Sequence, residues 1–261
     1  MSWKKENDPY LDIKSMLDFH FRSIHSETNM SANIIRRGLV KNNEIKSCYL
    51  KMNSISLSEL GDFETIDISF VDVLKRRRTS WDFNEEPIQC STLSSIIHYS
   101  LGITDNCKYG DFIVNKRAYP SAGAEYSIIP YIYIQGTGND LIDHKIFKME
   151  IQSEKLYLVN KLNDKEINGI CSTSKFTDRN FNKCNFIIFF ATNFEVLFSK
   201  YGMLSYRLSL LEAGHMCENI QLVSTALNVS TVPLGGFYDN FVRRICKLDG
   251  RNFVLYILGG G

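Results

Sequence analysis

Apolar and polar positions follow a helical rhythm at both ends of this 261-residue chain and a strand rhythm in the middle. Asp8-Pro9 pairs a capping residue with a proline at a first helical position. Leu11, Met16, Leu17 and Phe19 then carry a helical stripe to about His20. From 26 to 66, polar residues interrupt short apolar pieces without a steady period, which predicts loops with weak strands. Ile68 to Leu74 predicts a helix running into Lys75-Arg76-Arg77-Arg78, and Ser91 is expected to cap a second helix carrying Leu93, Ile96 and Ile97. A loop is expected from Gly102 to Pro120.

Ser127 to Gln135 reads as a buried strand whose pairing is limited by Pro130. Lys145 to Glu150 and Lys155 to Val159 read as a hairpin. Phe186 to Ala191 is apolar at every position, which predicts a central strand covered on both faces. The longest helix is expected from Leu204 to Leu227. Leu204, Leu208, Leu211, His215 and Leu222 share one stripe, and Leu210, Ala213, Cys217 and Ile220 widen it. Such a helix belongs in a core or between subunits. Asp239 is expected to cap a short last helix before a final strand at Phe253 to Leu258. The class is α+β, one sheet with helices on it. Residues 1–66 read as an N-terminal extension suited to docking a partner or peptide, and residues 67–261 as the main domain.

Composition sharpens this picture at three points. Hydrophobic residues make up 44% of the chain and charged residues 23%, enough apolar side chains for a sizeable core. A net charge of +1 supplies no global field toward nucleic acid or an anionic membrane. Seven Cys without C-x-x-C or zinc spacing predict reduced thiols in a cytoplasmic protein and no metal site. Met1 to Pro9 lacks the apolar segment of a signal peptide, and the run Phe186 to Ala191 is too short to span a membrane.

Four places carry candidate chemistry, each with a plainer reading beside it. Lys75 to Arg78 suits a solvated helix C-terminus, yet Thr79-Ser80 follow, and hydroxyls beside arginines are good phosphate ligands. Arg117 heads a small-residue turn, Pro120-Ser121-Ala122-Gly123. It is either an ordinary loop or a surface where backbone approaches a flat ligand closely. Pro233-Leu234-Gly235-Gly236-Phe237 is either a tight connection or a second backbone cradle. Lys200-Tyr201 is either surface charge or a reactive pair, since a cation beside a phenol favours its ionised form.

Taken in order, Arg77 to Phe83 (RRTSWDF), Arg117 to Tyr126 (RAYPSAGAEY), Lys200 to Asn219 (KYGMLSYRLSLLEAGHMCEN) and Gly235 to Asp239 (GGFYD) resemble the nitroreductase superfamily. More narrowly they resemble its SagB-type branch, the azoline dehydrogenases of thiazole/oxazole-modified peptide pathways. The resemblance runs from about residue 66 to the end. It implies a nitroreductase-like fold, with a central mostly antiparallel sheet covered by helices, and a homodimer with FMN at the subunit interface. Arg77, Arg78 and Thr79 would hold the FMN phosphate and ribityl chain. Pro120, Ser121, Ala122 and Gly123 would line the isoalloxazine, with Arg117 at the head of that turn. Gly235 and Gly236 would lie near flavin N5, and Arg207 would touch flavin or substrate. Lys200 and Tyr201 match the branch's catalytic pair, with Tyr201 the favoured base and Lys200 the alternative.

The implied partners are an azoline-containing precursor peptide and a cyclodehydratase complex. Two departures stand out. Trp81 occupies the place of a second cation, and Glu125 puts a charge into a small-then-aliphatic turn. With Gly259-Gly260-Gly261 as the last residues, no C-terminal arm toward a partner subunit is expected. An NAD(P)H-driven reductase of small nitro or quinone compounds, or a non-catalytic scaffold subunit, are the competing expectations.

Overall fold

A computed structural model describes Ser15, residues 18–20 and residues 53–261, apart from 84–85, 110–111, 172–180 and 250–251. Most of the expected first helix and of the 26–66 segment therefore lies outside the described residues, although Ser15 and residues 18–20 are helical. The elements are β1 (Ser54–Ser56), α1 (Leu57–Leu60), α2 (Phe70–Arg76), α3 (Cys90–Leu101), β2 (Ile103–Tyr109), β3 (Phe112–Arg117), β4 (Ile128–Ile134), β5 (Lys145–Glu150) and β6 (Lys155–Lys161). They continue with α4 (Asp164–Asn168), β7 (Phe186–Thr192), α5 (Phe194–Tyr201), α6 (Leu204–Ala226), β8 (Thr231–Leu234), α7 (Asp239–Ile245) and β9 (Val254–Gly260).

Seven strands form one sheet in the order β1-β6-β5-β4-β7-β9-β8, with antiparallel ladders throughout. β7 is an interior strand between β4 and β9 and is buried at every position, as its unbroken apolar run predicts. Its side chains alternate between two cores. Phe186, Ile188 and Phe190 face α3 and α6, while Ile187, Phe189 and Ala191 face α7. Burying each of the large ones contributes about 1.5–3 kcal/mol. Pro130 is tolerated inside β4 because the β5 ladder begins one residue later, at Tyr131. β1 pairs with β6 at the sheet edge, and Leu57 just after it is fully buried, so residues 54–57 pack with the main sheet.

Four expectations need correcting. Gly102 to Pro120 is not a loop: β2 and β3 pair as a separate two-stranded hairpin. Their largely polar sequence, exposed or at most half-buried at every described position, hides the alternation that marks a half-buried strand. Ser91 does not cap α3, which begins at Cys90; the Ser91 hydroxyl donates to Glu64 instead. Asp239 is the first residue of α7, and Tyr238 precedes it in the capping position. In α6 the buried face is not the leucine stripe. It comprises Ser205, Ser209, Glu212, Ala213, Met216, Cys217, Ile220, Gln221 and Ser224, while Leu210 and Leu211 are exposed.

Candidate active site

A cavity of about 740 Å³ opens where the β2–β3 hairpin returns to the sheet. Lys116, Arg117, Tyr119, Pro120, Ser121 and Gly123 are among its lining residues. The chain enters it through Arg117, whose Nη1 donates to Tyr119 Oη at 2.7 Å and whose guanidinium lies 4.2 Å from the Tyr126 ring centroid. Tyr119 is 1% exposed, and burial pushes its phenol well above the usual tyrosine range, so it stays a neutral hydrogen-bond partner.

The turn beyond Pro120 is pinned from below. Glu212 on α6 is 1% exposed and accepts four hydrogen bonds from it. These come from Ser121 Oγ (2.7 Å), Ser127 N (3.2 Å), Ser127 Oγ (3.1 Å) and Ile128 N (3.0 Å). Ser121 Oγ in turn accepts from Tyr126 N at 2.9 Å. A buried carboxylate is tolerated here because its lone pairs are satisfied. His215 and Asn219 extend the attachment, reaching Pro120 O at 3.3 Å and Ala118 O at 2.9 Å.

Above the same turn stand Lys200 and Tyr201, the last two residues of α5. Gly202, with φ of 56°, then turns the chain into α6. A Cβ added to Gly123 would collide with Tyr201 Oη and would lie 2.8 Å from Lys200 Nζ. Gly123 has φ of 61°, so glycine is favoured there on conformational grounds, and a side chain would have to displace the tips of Lys200 and Tyr201. Lys200 Nζ also forms a salt bridge with Glu125. The structure thus brings Arg117, Pro120, Ser121, Ala122 and Gly123 together with Lys200 and Tyr201, although the two groups lie far apart in the chain.

The other expected ligands form a second group. Thr79 makes a parallel bridge with Thr231, and Ser80 N donates to Thr231 O at 3.0 Å. This sets Arg77, Arg78 and Thr79 beside β8, which leads into Gly235 and Gly236. Side chains added to either glycine would meet open space. Arg77 Nε lies 3.7 Å from Glu218 on α6, and Arg78 Nη1 donates to Arg77 O at 2.7 Å. None of these residues is among the described lining of the cavity. Both groups nonetheless meet α6 within one turn, at His215 and at Glu218. Arg207 stands apart, its Nη2 lying 3.3 Å from both His20 Nδ1 and His20 O. Trp81 packs on Phe181 and Phe83 at the margin of the second core.

Residues 74–261 match the nitroreductase family. This chain belongs to that family. The Methanocaldococcus jannaschii protein MJ1384, itself named as a nitroreductase, is 25% identical over 201 residues, which cover 77% of this chain and 94% of that one. The Escherichia coli microcin B17-processing protein McbC is 27% identical over 138 residues, 52% of this chain and half of McbC. Among solved structures, a chain of the E. coli microcin synthetase McbBCD complex, with truncated pro-MccB17 bound, superposes with a TM-score of 0.63. It is 22% identical and covers 98% of this chain and 94% of that chain. A nitroreductase from Anabaena variabilis gives 0.65 at 17% identity, over 94% of this chain but only 45% of its own length. These two likenesses establish the shared fold.

Nitroreductase family proteins are oxidoreductases that typically bind FMN, and the donor set here suits that cofactor. Two guanidiniums and a hydroxyl in sequence match a phosphate. Ser121 and Gly123 line the cavity, and the glycines after β8 face open space, so small residues border room for a flat ring on both sides. Among the described residues no group of His, Cys, Asp and Glu is arranged to hold a metal ion, and no helix is long and apolar enough to cross a membrane. Burial pushes the Cys217 thiol up to about 12, which leaves it an inert packing residue. Sequence reasoning missed the parts played by Glu212 and Glu125. An acidic residue amid the apolar positions of α6 was the signal for Glu212; the partner of Glu125 is visible only in three dimensions.

Proposed function

We propose that this chain is an FMN-dependent dehydrogenase of the SagB type. It oxidises thiazolines or oxazolines of a ribosomally made peptide to thiazoles or oxazoles. The observation that carries this reading is the convergence of Lys200 Nζ and Tyr201 Oη over Gly123, in the turn suited to a flat ring. A reductase that takes its protons from water has no need of such a pair. The likeness to the microcin B17-processing protein supports a peptide substrate. A cytoplasmic setting beside a cyclodehydratase fits the same reading.

Arg77, Arg78 and Thr79 would hold the phosphate and ribityl chain of the cofactor. Pro120, Ser121, Ala122 and Gly123 would line its ring system, with Gly235 and Gly236 near N5. FMN, when bound, would take the ring hydride and hand its electrons on to O₂. The Lys200–Tyr201 pair receives the proton that leaves the ring Cα as the hydride leaves Cβ, and the ring gains its aromatic double bond. Phe70, Val71 and Leu74 on α2 and Leu210 and Leu211 on α6 are exposed apolar residues, which supports a homodimer closing over the second group of ligands.

Mass spectrometry of a cyclised peptide incubated with FMN-loaded protein tests the reading: every azoline oxidised removes two hydrogens. An unchanged peptide together with rapid bleaching of bound FMN by NADPH would replace it with the small-molecule reductase. A colourless protein whose melting temperature FMN does not raise would leave the scaffold subunit.

A further inference from the structure

Glu125 stands in a turn whose backbone is unusual. Gly123, Ala124 and Tyr126 have φ of 61°, 55° and 50°, so three of four consecutive residues are left-handed. For Ala124 and Tyr126 this costs about 1–2 kcal/mol each. Such strain persists where the surroundings over-determine it. Here Ala124 N donates to Ser121 O at 3.1 Å, Tyr126 N to Ser121 Oγ at 2.9 Å, and Arg117 N to Tyr126 Oη at 3.0 Å. Buried Glu212 holds Ser121 itself.

The product of this bracing is the direction of one side chain. Glu125, the only right-handed residue in the run, reaches Lys200 Nζ. The pair is largely shielded, its side chains 24% and 19% exposed, where an ion pair is less screened than at a surface. Lys200 Nζ is also 5.4 Å from the Tyr201 ring centroid, so the lysine paired with the carboxylate lies near the phenol as well.

Resting on the dehydrogenase reading, we infer that Glu125 is a positioning residue that fixes the Lys200 ammonium beside Tyr201, leaving Tyr201 as the proton acceptor. An ammonium offers donors and no lone pair, so Lys200 in this salt bridge does not take a proton. Tyr201 Oη is the other polar atom over Gly123. Tyr201 Oη would take the ring Cα proton, with the Lys200 ammonium beside it. FMN, when bound, would take the Cβ hydride, and the electron pair of the Cα–H bond would become the new ring double bond.

Three variants and one labelling measurement test this on the full chain. In Glu125→Gln, kcat is expected to fall about tenfold to a hundredfold through misplacement of Lys200, with KM and FMN absorbance little changed. Glu125→Asp should recover most of that loss. Lys200→Arg keeps a cation that cannot act as a base, so it should retain measurable turnover. Reductive methylation read by mass spectrometry, with or without FMN, should modify Lys200 faster in Glu125→Gln than in wild type, other lysines being unaffected. Unchanged kcat in Glu125→Gln, or unchanged labelling of Lys200, would overturn the positioning role. Lys200→Arg as inactive as Lys200→Ala, at full FMN content, would make Lys200 the base. A wild-type protein that leaves azolines intact sinks the dehydrogenase reading and the base assignment with it, while the labelling still decides whether Glu125 holds Lys200.

Discussion

The turn from Ser121 to Tyr126 and the cationic stretch from Arg77 to Thr79 are both candidate cofactor ligands, yet they are built in opposite ways. The turn is braced on every side. Glu212 holds it from α6, Tyr126 and Arg117 lock its far end, and Lys200 and Tyr201 close it from α5. The cationic stretch is barely engaged. Arg77 makes a long contact with a half-exposed Glu218, Arg78 turns back on its neighbour's carbonyl, and Gly235 and Gly236 face open space. On the proposed reading, the difference separates two jobs. Reacting groups gain from being fixed before the substrate arrives. A phosphate site gains from cations that lack strong internal partners, because the anion then replaces water rather than a strong internal pair.

The largest effect should come from the braced half. Lys200→Ala and Tyr201→Phe should each lower azole formation about a thousandfold while bound flavin stays yellow. Azole yield by mass spectrometry and flavin absorbance separate the two properties. Loss of flavin in both variants would mean that the pair is structural and that the contrast between the halves has been drawn in the wrong place.

Glu212→Ala should come next, and it should act on stability. It strips a buried acceptor from Ser121, Ser127 and Ile128, leaving two backbone N–H groups without their partner. The expected cost is about 3 kcal/mol, read as a lower urea midpoint with an unchanged slope. A midpoint close to wild type would show that water replaces the carboxylate and that the bracing is weaker than its geometry suggests.

These two halves were unequally legible in the sequence. β7 was plain because a run buried on both faces needs no period to be recognised. The extent of α6 was also plain, but its buried face was not. Counting leucines pointed outward, since the inner face uses Ser205, Ser209, Glu212 and Ser224, small or polar residues that approach the sheet and the turn closely. The β2–β3 hairpin left no trace because a two-stranded ribbon outside the main sheet, with no fully buried described position, carries no regular apolar side to alternate. Lys200-Tyr201 and Pro120 to Gly123 were each visible as pieces with a family's order. That Tyr201 comes to rest on Gly123, and Lys200 on Glu125, depends on how α5 packs over a turn drawn from another part of the chain.

The smallest effect should come from the open half, and it tests the comparison most finely. Arg77→Ala removes one guanidinium from a site where Arg78 and Thr79 remain. FMN affinity should fall about tenfold, or ~1.4 kcal/mol. The fall should shrink as salt is raised, because the lost contact is between charges at least partly in water. Stability of the FMN-free protein should hardly move, since the pair with Glu218 is solvent-exposed and such pairs contribute about 0–1 kcal/mol. Flavin fluorescence titrations at two ionic strengths, beside urea melts without FMN, give both numbers. A variant that binds FMN as wild type does, yet unfolds earlier, would make Arg77 part of the scaffold. The open half would then be held by internal contacts just as the braced one is.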